Sequence, residues 1–507
     1  MTAPPEAPAS TPRASSHLLS LTDPEAAAIL RKIFADANYT SEGIRQHVGP
    51  EMGAVPANEI PRVLRSLKAD NTLSTLILMF HFGVRVEAAA LAKALSPLSL
   101  QRVAAIGLLE VQPDGMALPR VRFQPFDKAL LVSDPPWDDL TSLPPNYVLE
   151  VNPTSKLTAA VTPRSRIGSA LDVGAGCGVL SILAASHSGR VVATDINSRA
   201  LNFTAFNAQL NGFANIECAE GSLLEPAAGK TFDLIMSNPP FVISPDTDLQ
   251  FRDSGWEEDT FCRELIRKVP EHLNEGGIAV VLTNWPIRAG QSWEARPSEW
   301  VAGLGCDAVL FRMQTLTAVE YAGTWNRVLA SAQPKAYEAA LDRWTAYYRK
   351  LGIVSIAGGL VVLRRRKTAD NWGFSVDGAN HGSTSCGDHL LRIIEAQDYL
   401  HSGLSTDALL QEKIRPTEEL RLEQTIAFRD GRMTTLAATA KLSRGFDFRS
   451  DLDPVTWSVL GLCDGRHTLQ QVLDELGRRP GVKVDEIRGK VLDAIRNMYA
   501  AGFLTRA

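Results

Sequence analysis

The sequence predicts an α/β fold built on a doubly wound sheet, with smaller domains on either side. Three stretches carry that prediction. Ser169 to Val173 reads as a buried strand that breaks into Gly174, Gly176 and Gly178 before a helix opens at Val179. Val191 to Thr194 is a second strand, ending on Asp195. Phe232 to Met236 is a third, and Ser237-Asn238-Pro239-Pro240-Phe241 follows it. Sheets of this kind take their ligands outside the carboxyl ends of the strands, where all three turns would lie.

Each turn has its own chemistry. Glycines let the backbone bend tightly and approach a ligand closely, where a side chain would block it. Asp195, about 17 residues past the last glycine, suits a carboxylate accepting two hydrogen bonds from a ribose diol. Asp172 precedes the first glycine, giving Asp-x-Gly-x-Gly-x-Gly in place of the pyrophosphate-binding pattern. No Lys-Ser/Thr follows, which excludes a P-loop. The two prolines after Asn238 fix φ and remove two backbone donors.

Leu171-Asp172-Val173-Gly174-Ala175-Gly176-Cys177-Gly178-Val179-Leu180-Ser181, together with Ser237-Asn238-Pro239-Pro240-Phe241, resembles the class I S-adenosylmethionine-dependent methyltransferases of the "methyltransferase small" group, over roughly residues 145–365. That group includes ribosomal RNA guanine-N2 and adenine-N6 enzymes and HemK-type enzymes that methylate a glutamine amide. The resemblance implies a seven-stranded Rossmann-like methyltransferase sheet and S-adenosyl-L-methionine as cofactor. It assigns cofactor binding to Asp172, Gly174, Gly176, Gly178, Asp195, Ile196, Ser222 and Asn238, and catalysis to Asn238, Pro239, Pro240 and Phe241. Many members carry an acid where this chain has Ser222, with Glu220 just before, so either could meet the adenine amino group. The segment leading into the sheet covers the pocket in related enzymes, which makes Tyr147 and Lys156 candidates. Arg252 and Trp285 are candidates for gripping substrate, or equally for anchoring loops.

An exocyclic amine or a carboxamide nitrogen is a poor nucleophile, because its lone pair is delocalised. The Asn238 side-chain oxygen and the Pro239 carbonyl can both accept hydrogen bonds from such an NH₂, turning it toward sp³ and aiming its lone pair. Phe241 can stack on the planar group. This chemistry calls for no metal and no strong general base.

At 507 residues the chain exceeds one compact core. A hydrophobic content of 45% with 21% charged residues fits a globular protein, and no stretch approaches the ~18 apolar residues that span a bilayer. Residues 1–18 read as a disordered tail without the apolar core of a signal peptide. The six cysteines form no Cys-x-x-Cys pair, which argues for reduced thiols in a cytoplasm and against structural zinc. A net charge of −5 makes no case for nucleic acid beyond a local basic face.

In chain order, 19–133 reads as a helical, winged-helix-like domain. Apolar residues recur at helical spacing over 23–37 and 60–67, two short helices follow at 86–95 and 98–106, and Leu108–Val111 and Val121–Phe123 form a hairpin across Pro113-Asp114-Gly115. Arg102, Arg120 and Arg122 could face phosphates, or be ordinary surface arginines. A proline-rich connector opens the catalytic domain, 134–367. Within it 197–211 is a helix whose Asn202 and Asn207 are surface or capping residues, and Glu275-Gly276-Gly277 caps a helix. A helical insertion at about 317–351 carries Tyr321, Trp325, Trp344, Tyr347 and Tyr348, either packed into the sheet or forming a substrate lid. Residues 368–388 form a linker, and 389–507 a helical domain ending in a second winged-helix-like unit.

The expected activity is N-methylation of a planar amino nitrogen, with an exocyclic amine of an RNA nucleobase as favoured substrate. The alternatives are N5-glutamine methylation of a protein, N-methylation of a small natural product, and a non-enzymatic cofactor-binding regulator with DNA-binding wings. Expected partners are RNA or a protein substrate, with no membrane and no metal. The flanking domains are expected to bind substrate or a partner protein.

Overall fold

The computed structural model describes residues 18–20, 23–49, 65, 67, 71–135, 143–246, 252–368, 370–378, 385–403, 405–429, 431–480 and 482–507. The expected tail, the helical spacing at 60–67 and most of the proline-rich connector lie outside the described residues. The chain divides into two compact units. One comprises residues 1–158, 166–304 and 315–365; the other comprises 159–165, 305–314 and 366–507. Residues 19–133 and the sheet that follows, expected as separate domains, fall in the same unit.

The first unit opens with helix α1 (Pro24–Asp36), whose first turn is capped by Asp23 accepting from the Glu25 and Ala26 amides. Its apolar face buries Phe34 in a cluster with Tyr39, Phe80 and Phe123. After helices at Ser41–Val48 and Thr72–Leu76 come strand β1 (Val86–Glu87), helices α2 (Ala88–Ala94) and α3 (Leu100–Ile106), and the hairpin of β2 (Leu109–Val111) and β3 (Met116–Pro119). β1 joins the hairpin antiparallel to β3. The hairpin thus closes on Met116–Pro119 and not on Val121–Phe123. The latter residues belong instead to a second hairpin, β4 (Arg122–Phe126) with β5 (Ala129–Ser133). The three arginines expected at phosphates are each engaged: Arg102 pairs with Asp23, Arg120 with Glu110, and Arg122 with Glu150.

Helix α4 (Pro153–Val161) leads into the sheet. Six strands of the first unit run in the order β8 (Ile216–Glu220), β7 (Ser188–Asp195), β6 (Ile167–Val173), β9 (Phe232–Ser237), β10 (Leu273–Arg288) and β12 (Ile353–Arg365). The first five are parallel, and β12 runs antiparallel to β10. The near-continuous apolar runs of β6, β7, β9 and β10 are buried, as strands covered on both faces require. Leaving β6 for β7 and returning to β9 on the other side makes a switch point at their carboxyl ends, where such folds bind ligands.

Helix α5 (Val179–Ala185) follows β6, and α6 (Ser198–Asn211) follows β7. The asparagines of α6 correct the expectation of surface and capping residues. The Asn207 carboxamide accepts from the Val132 amide and donates to the Val132 and Cys177 carbonyls (2.8–2.9 Å). Asn211 does the same with both backbone groups of Leu130, and Asn202 with those of Leu19. A carboxamide carries the donor and acceptor of a peptide, so α6 offers β5 what a neighbouring strand would have offered.

Gly276 and Gly277 also depart from expectation. Helix α7 (Thr260–Lys268) stops ahead of them, Pro270 sits in the single tight turn that follows, and the glycines lie inside β10, where its register with β9 shifts between Leu273 and Ile278. Two helices, α8 (Ala318–Trp325) and α9 (Pro334–Lys350), account for most of the expected insertion.

In the second unit β11 (Cys306–Thr317), most of which belongs there, pairs parallel with β13 (Gly373–Asp377). β13 corrects the expected linker: Trp372 donates its amide to Asp307, and Arg312 pairs with Asp377, so the polar stretch is held as a strand. The expectation of a helical region from His389 is corrected too. After helices Gly387–Leu400 and Thr406–Gln411, β15 (Leu420–Arg429), β16 (Arg432–Leu442) and β17 (Arg449–Asp451) form an antiparallel sheet, while β14 (Ile414–Pro416) pairs with β18 (Leu504–Arg506). The period-two pattern of 420–428 and Asp430-Gly431 was the available signal. Helices at Pro454–Leu460, Leu469–Gly477 and Val484–Ala500 do form, around a core that includes Val459, Leu473 and Ile495.

Among the described residues no helix is long and apolar enough to cross a membrane, and no group of three or more His, Cys, Asp or Glu could hold a metal.

Candidate active site

A cavity of about 450 Å³ opens at the carboxyl ends of β6, β7 and β9. Its floor is the glycine turn. Gly174 and Gly176 have φ of 76° and 58°, and a Cβ on either would project into open space. They therefore hold the cavity free. Gly178 differs: a Cβ there would lie 2.8 Å from Thr204, so this glycine lets α5 pack against α6.

Asp195 closes β7 with its carboxylate accepting from the Gly176 amide and the Asn197 amide, both at 2.9 Å. Each oxygen keeps lone pairs for a diol at the cavity wall. Burial holds its pKa above the ordinary carboxylate value. Ile196 stands exposed beside it and lines the rim. Ser222 also lines the cavity, and Glu220 does not.

Asp172 is the correction on this side. It does not line the cavity; it is sealed beneath the turn and accepts from the amide (2.9 Å) and hydroxyl (2.6 Å) of Ser181. It ties the glycine turn to α5 from behind. Burial pushes its carboxyl up to about 7.

The opposite wall is Asn238, Pro239, Pro240 and Phe241, all at the cavity. Ser237 donates its hydroxyl to the Val173 carbonyl at 2.7 Å, fixing this corner against β6. The Asn238 amide donates through Nδ2 to Thr154 Oγ1 at 3.4 Å. Its Oδ1 is buried and has no hydrogen-bond partner among the described residues. A buried acceptor left unsatisfied costs roughly 1–3 kcal/mol unless something fills its site.

The insertion bolts down the chain beyond this corner. The Ile243 amide donates to the Tyr321 hydroxyl, the Tyr348 hydroxyl donates to the Ile243 carbonyl at 2.7 Å, and Trp344 Nε1 donates to Asp246 at 2.8 Å. Tyr321, Trp344 and Tyr348 are buried. Trp325 alone among the expected aromatics lines the cavity, edge-on to Phe241 with 5.8 Å between centroids.

Among the substrate candidates, Tyr147 lines the cavity but spends its hydroxyl on the Pro135 carbonyl (2.8 Å), so it presents its ring. Lys156 is exposed and does not line it. Arg252 lines it while clamped on Asp253 through two bonds of 2.8 and 2.9 Å. Trp285 is away from the cavity, buried against Trp293 and Trp300 with its indole donating to the Trp293 carbonyl. Its large apolar ring went to the core, correcting the expectation of a substrate contact. Sequence reasoning missed Thr154, Trp256 and Phe261, which also line the cavity.

The methyltransferase small domain model matches residues 149–295, spanning the glycine turn, Asp195 and the Asn-Pro-Pro-Phe corner. This stretch is a methyltransferase small domain. Residues 36–119 match a domain of unknown function, DUF7059. The chain is 33% identical over 126 residues to the release factor glutamine methyltransferase of Xylella fastidiosa, covering 22% of this chain and 46% of that protein. It is 32% identical over 130 residues to the ribosomal RNA small subunit methyltransferase C of Cronobacter sakazakii, covering 25% of this chain and 34% of that one. The chain thus spans half or less of the length of these curated relatives. The M. jannaschii tRNA m1G37 methyltransferase structure aligns over 49% of this chain and 58% of its own, at 13% identity and a TM-score of 0.30.

The cavity fits the cofactor of the methyltransferase small domain on its own features. Gly174 and Gly176 leave room for a ligand against the backbone, Asp195 lines the cavity with its carboxylate held by two amides, and Asn238 Oδ1 is buried without a partner among the described residues.

Proposed function

We propose that the protein is an S-adenosylmethionine-dependent N-methyltransferase acting on a planar amino nitrogen, with an exocyclic amine of an RNA nucleobase as its substrate. The observation that carries this reading is Asn238 at the cavity wall, its Nδ2 donated to Thr154 and its buried Oδ1 without a hydrogen-bond partner among the described residues. Gly174, Gly176, Asp195, Ile196 and Ser222 would hold the cofactor, which supplies an electrophilic methyl group on a sulfonium.

Asn238 Oδ1 and the Pro239 carbonyl accept from the two hydrogens of the target NH₂. Held this way, the nitrogen loses conjugation and its lone pair points at the glycine side of the cavity. The cofactor, when bound, would give up its methyl group to that nitrogen and retain the electron pair of the broken C–S bond. The methylated nitrogen then sheds a proton to water. Asn238 does not take that proton; its part is alignment.

A nucleobase is favoured by the cavity lining, where Phe241, Trp256, Phe261 and Trp325 offer flat apolar surface to a planar ring. The glutamine reading has support in the release factor relative, since a carboxamide would present the same NH₂. A cytoplasmic setting fits six cysteines that are all free. The flanking elements suit partner binding better than phosphate contact, because Arg102, Arg120 and Arg122 are already paired with acids.

The test is methyl transfer from labelled cofactor to a lysate of cells lacking this gene, followed by RNase or protease digestion. Label released by RNase supports the nucleobase. Label released only by protease moves the substrate to a protein. No label in any fraction counts against the enzymatic reading.

A further inference from the structure

Which face of the Asn238 carboxamide meets the substrate decides whether this corner attracts an amine or repels it. An oxygen turned into the cavity accepts from NH₂; an NH₂ turned into the cavity would confront it donor to donor. Asn238 itself has no preference, since its two ends are nearly the same size. The choice has to come from neighbours.

The neighbours lie on the first turn of α4. The Ser155 amide donates to Asn152 Oδ1 at 2.9 Å. A backbone N–H can only donate, so this bond makes the Asn152 end an oxygen. The same oxygen accepts the Thr154 hydroxyl at 2.7 Å. The single hydrogen of Thr154 is then committed, and toward Asn238 Oγ1 has only lone pairs to offer. Those lone pairs accept Asn238 Nδ2 and reject Asn238 Oδ1. The polarity of one backbone amide is thereby passed through Asn152 and Thr154 to Asn238, fixing Nδ2 on Thr154 and leaving the buried oxygen without a partner among the described residues.

We infer that Thr154 is a positioning residue for methyl transfer, setting the orientation of the Asn238 carboxamide through the Ser155–Asn152–Thr154 relay. This rests on the proposed role of Asn238 and adds the reason its oxygen, and not its NH₂, is the end left for a donor. A flipped amide would require Thr154 to give up its short bond to Asn152, a bias on the order of one hydrogen bond, or about tenfold in population.

The test pairs a joint X-ray and neutron structure of the full chain with S-adenosylhomocysteine and single-turnover methyl transfer by Thr154→Val and Thr154→Ser. Expected are deuterons on Asn238 Nδ2 directed at Thr154 and a Thr154 deuteron directed at Asn152. Thr154→Val slows transfer about tenfold while S-adenosylhomocysteine affinity stays within about twofold, and Thr154→Ser recovers to within about threefold of wild type. Asn238 Nδ2 turned into the cavity would overturn the inference. So would a Thr154→Val rate equal to wild type, or a Thr154→Ser rate as slow as Thr154→Val, which would mean packing and not polarity. If the wild-type protein methylates neither RNA nor protein, the proposed activity falls, and the neutron map still decides the relay on its own.

Discussion

The two walls of the cavity are built on different principles. The glycine wall is backbone: the ends of β6 and β7, the Gly174 and Gly176 turn, and Asp195 held by two amides. The opposite wall is side chains: Asn238 steered by Thr154, Phe241 edge-on to Trp325, and Arg252 clamped to Asp253. A backbone wall is bound up with the strand order and is shared by every protein that folds this way. A side-chain wall can be rebuilt residue by residue, so substrate choice belongs there.

Substitutions that break one wall and spare the other separate the two. The largest effect is expected from Asn238→Ala, with methyl transfer falling roughly 10²–10³-fold, as for loss of one preorganised partner of a reacting group. Cofactor affinity by calorimetry should hardly move. Asp195→Ala should invert that pattern, weakening the cofactor about a hundredfold through loss of charge-assisted hydrogen bonds while transfer at saturating cofactor changes far less. Trp325→Ala should raise KM for the acceptor about tenfold, the scale of one lost stacking surface, with cofactor affinity unchanged.

The smallest effect concerns what lies behind the glycine wall. Burial of Asp172 raises its pKa to about 7 in the folded protein, against an ordinary carboxylate value of 3.8 in the unfolded chain. That contribution to stability is full below the unfolded pKa and is lost as pH rises through the folded one. Asp172→Asn removes the titration while keeping an acceptor for Ser181. The variant's melting temperature, measured against wild type, should therefore rise steadily from pH 4 to pH 7. A constant difference would mean that Asp172 does not carry the proton.

The backbone wall was legible because its signals are local. Glycines at 174, 176 and 178 and an acid at the end of a β-branched run each mark a backbone event within a few residues, and on the opposite wall only the two prolines after Asn238 do the same. Even there, the sequence could not tell Gly178, which serves packing, from Gly174 and Gly176, which face the cavity. Nor could it tell that Asp172 points inward. The side-chain wall was mostly opaque because its members come from four distant segments. Thr154 is an unremarked threonine until α4 brings it to Asn238, and Trp285 and Trp325 look alike until one is buried and the other opens on the cavity. The asparagines of α6 were misread for the same reason: a carboxamide that replaces a strand is written like one that faces water. The sheet at 420–451 is legible only as a short period-two pattern, set among segments of helical spacing that outweigh it.

A crystal structure with S-adenosylhomocysteine tests the central claim most directly. The account predicts the ribose hydroxyls on Asp195 and the thioether sulfur facing the Asn238 oxygen across the cavity. A ligand whose sulfur pointed away from the Asn-Pro-Pro-Phe corner, with Asp195 free of the ribose, would contradict it.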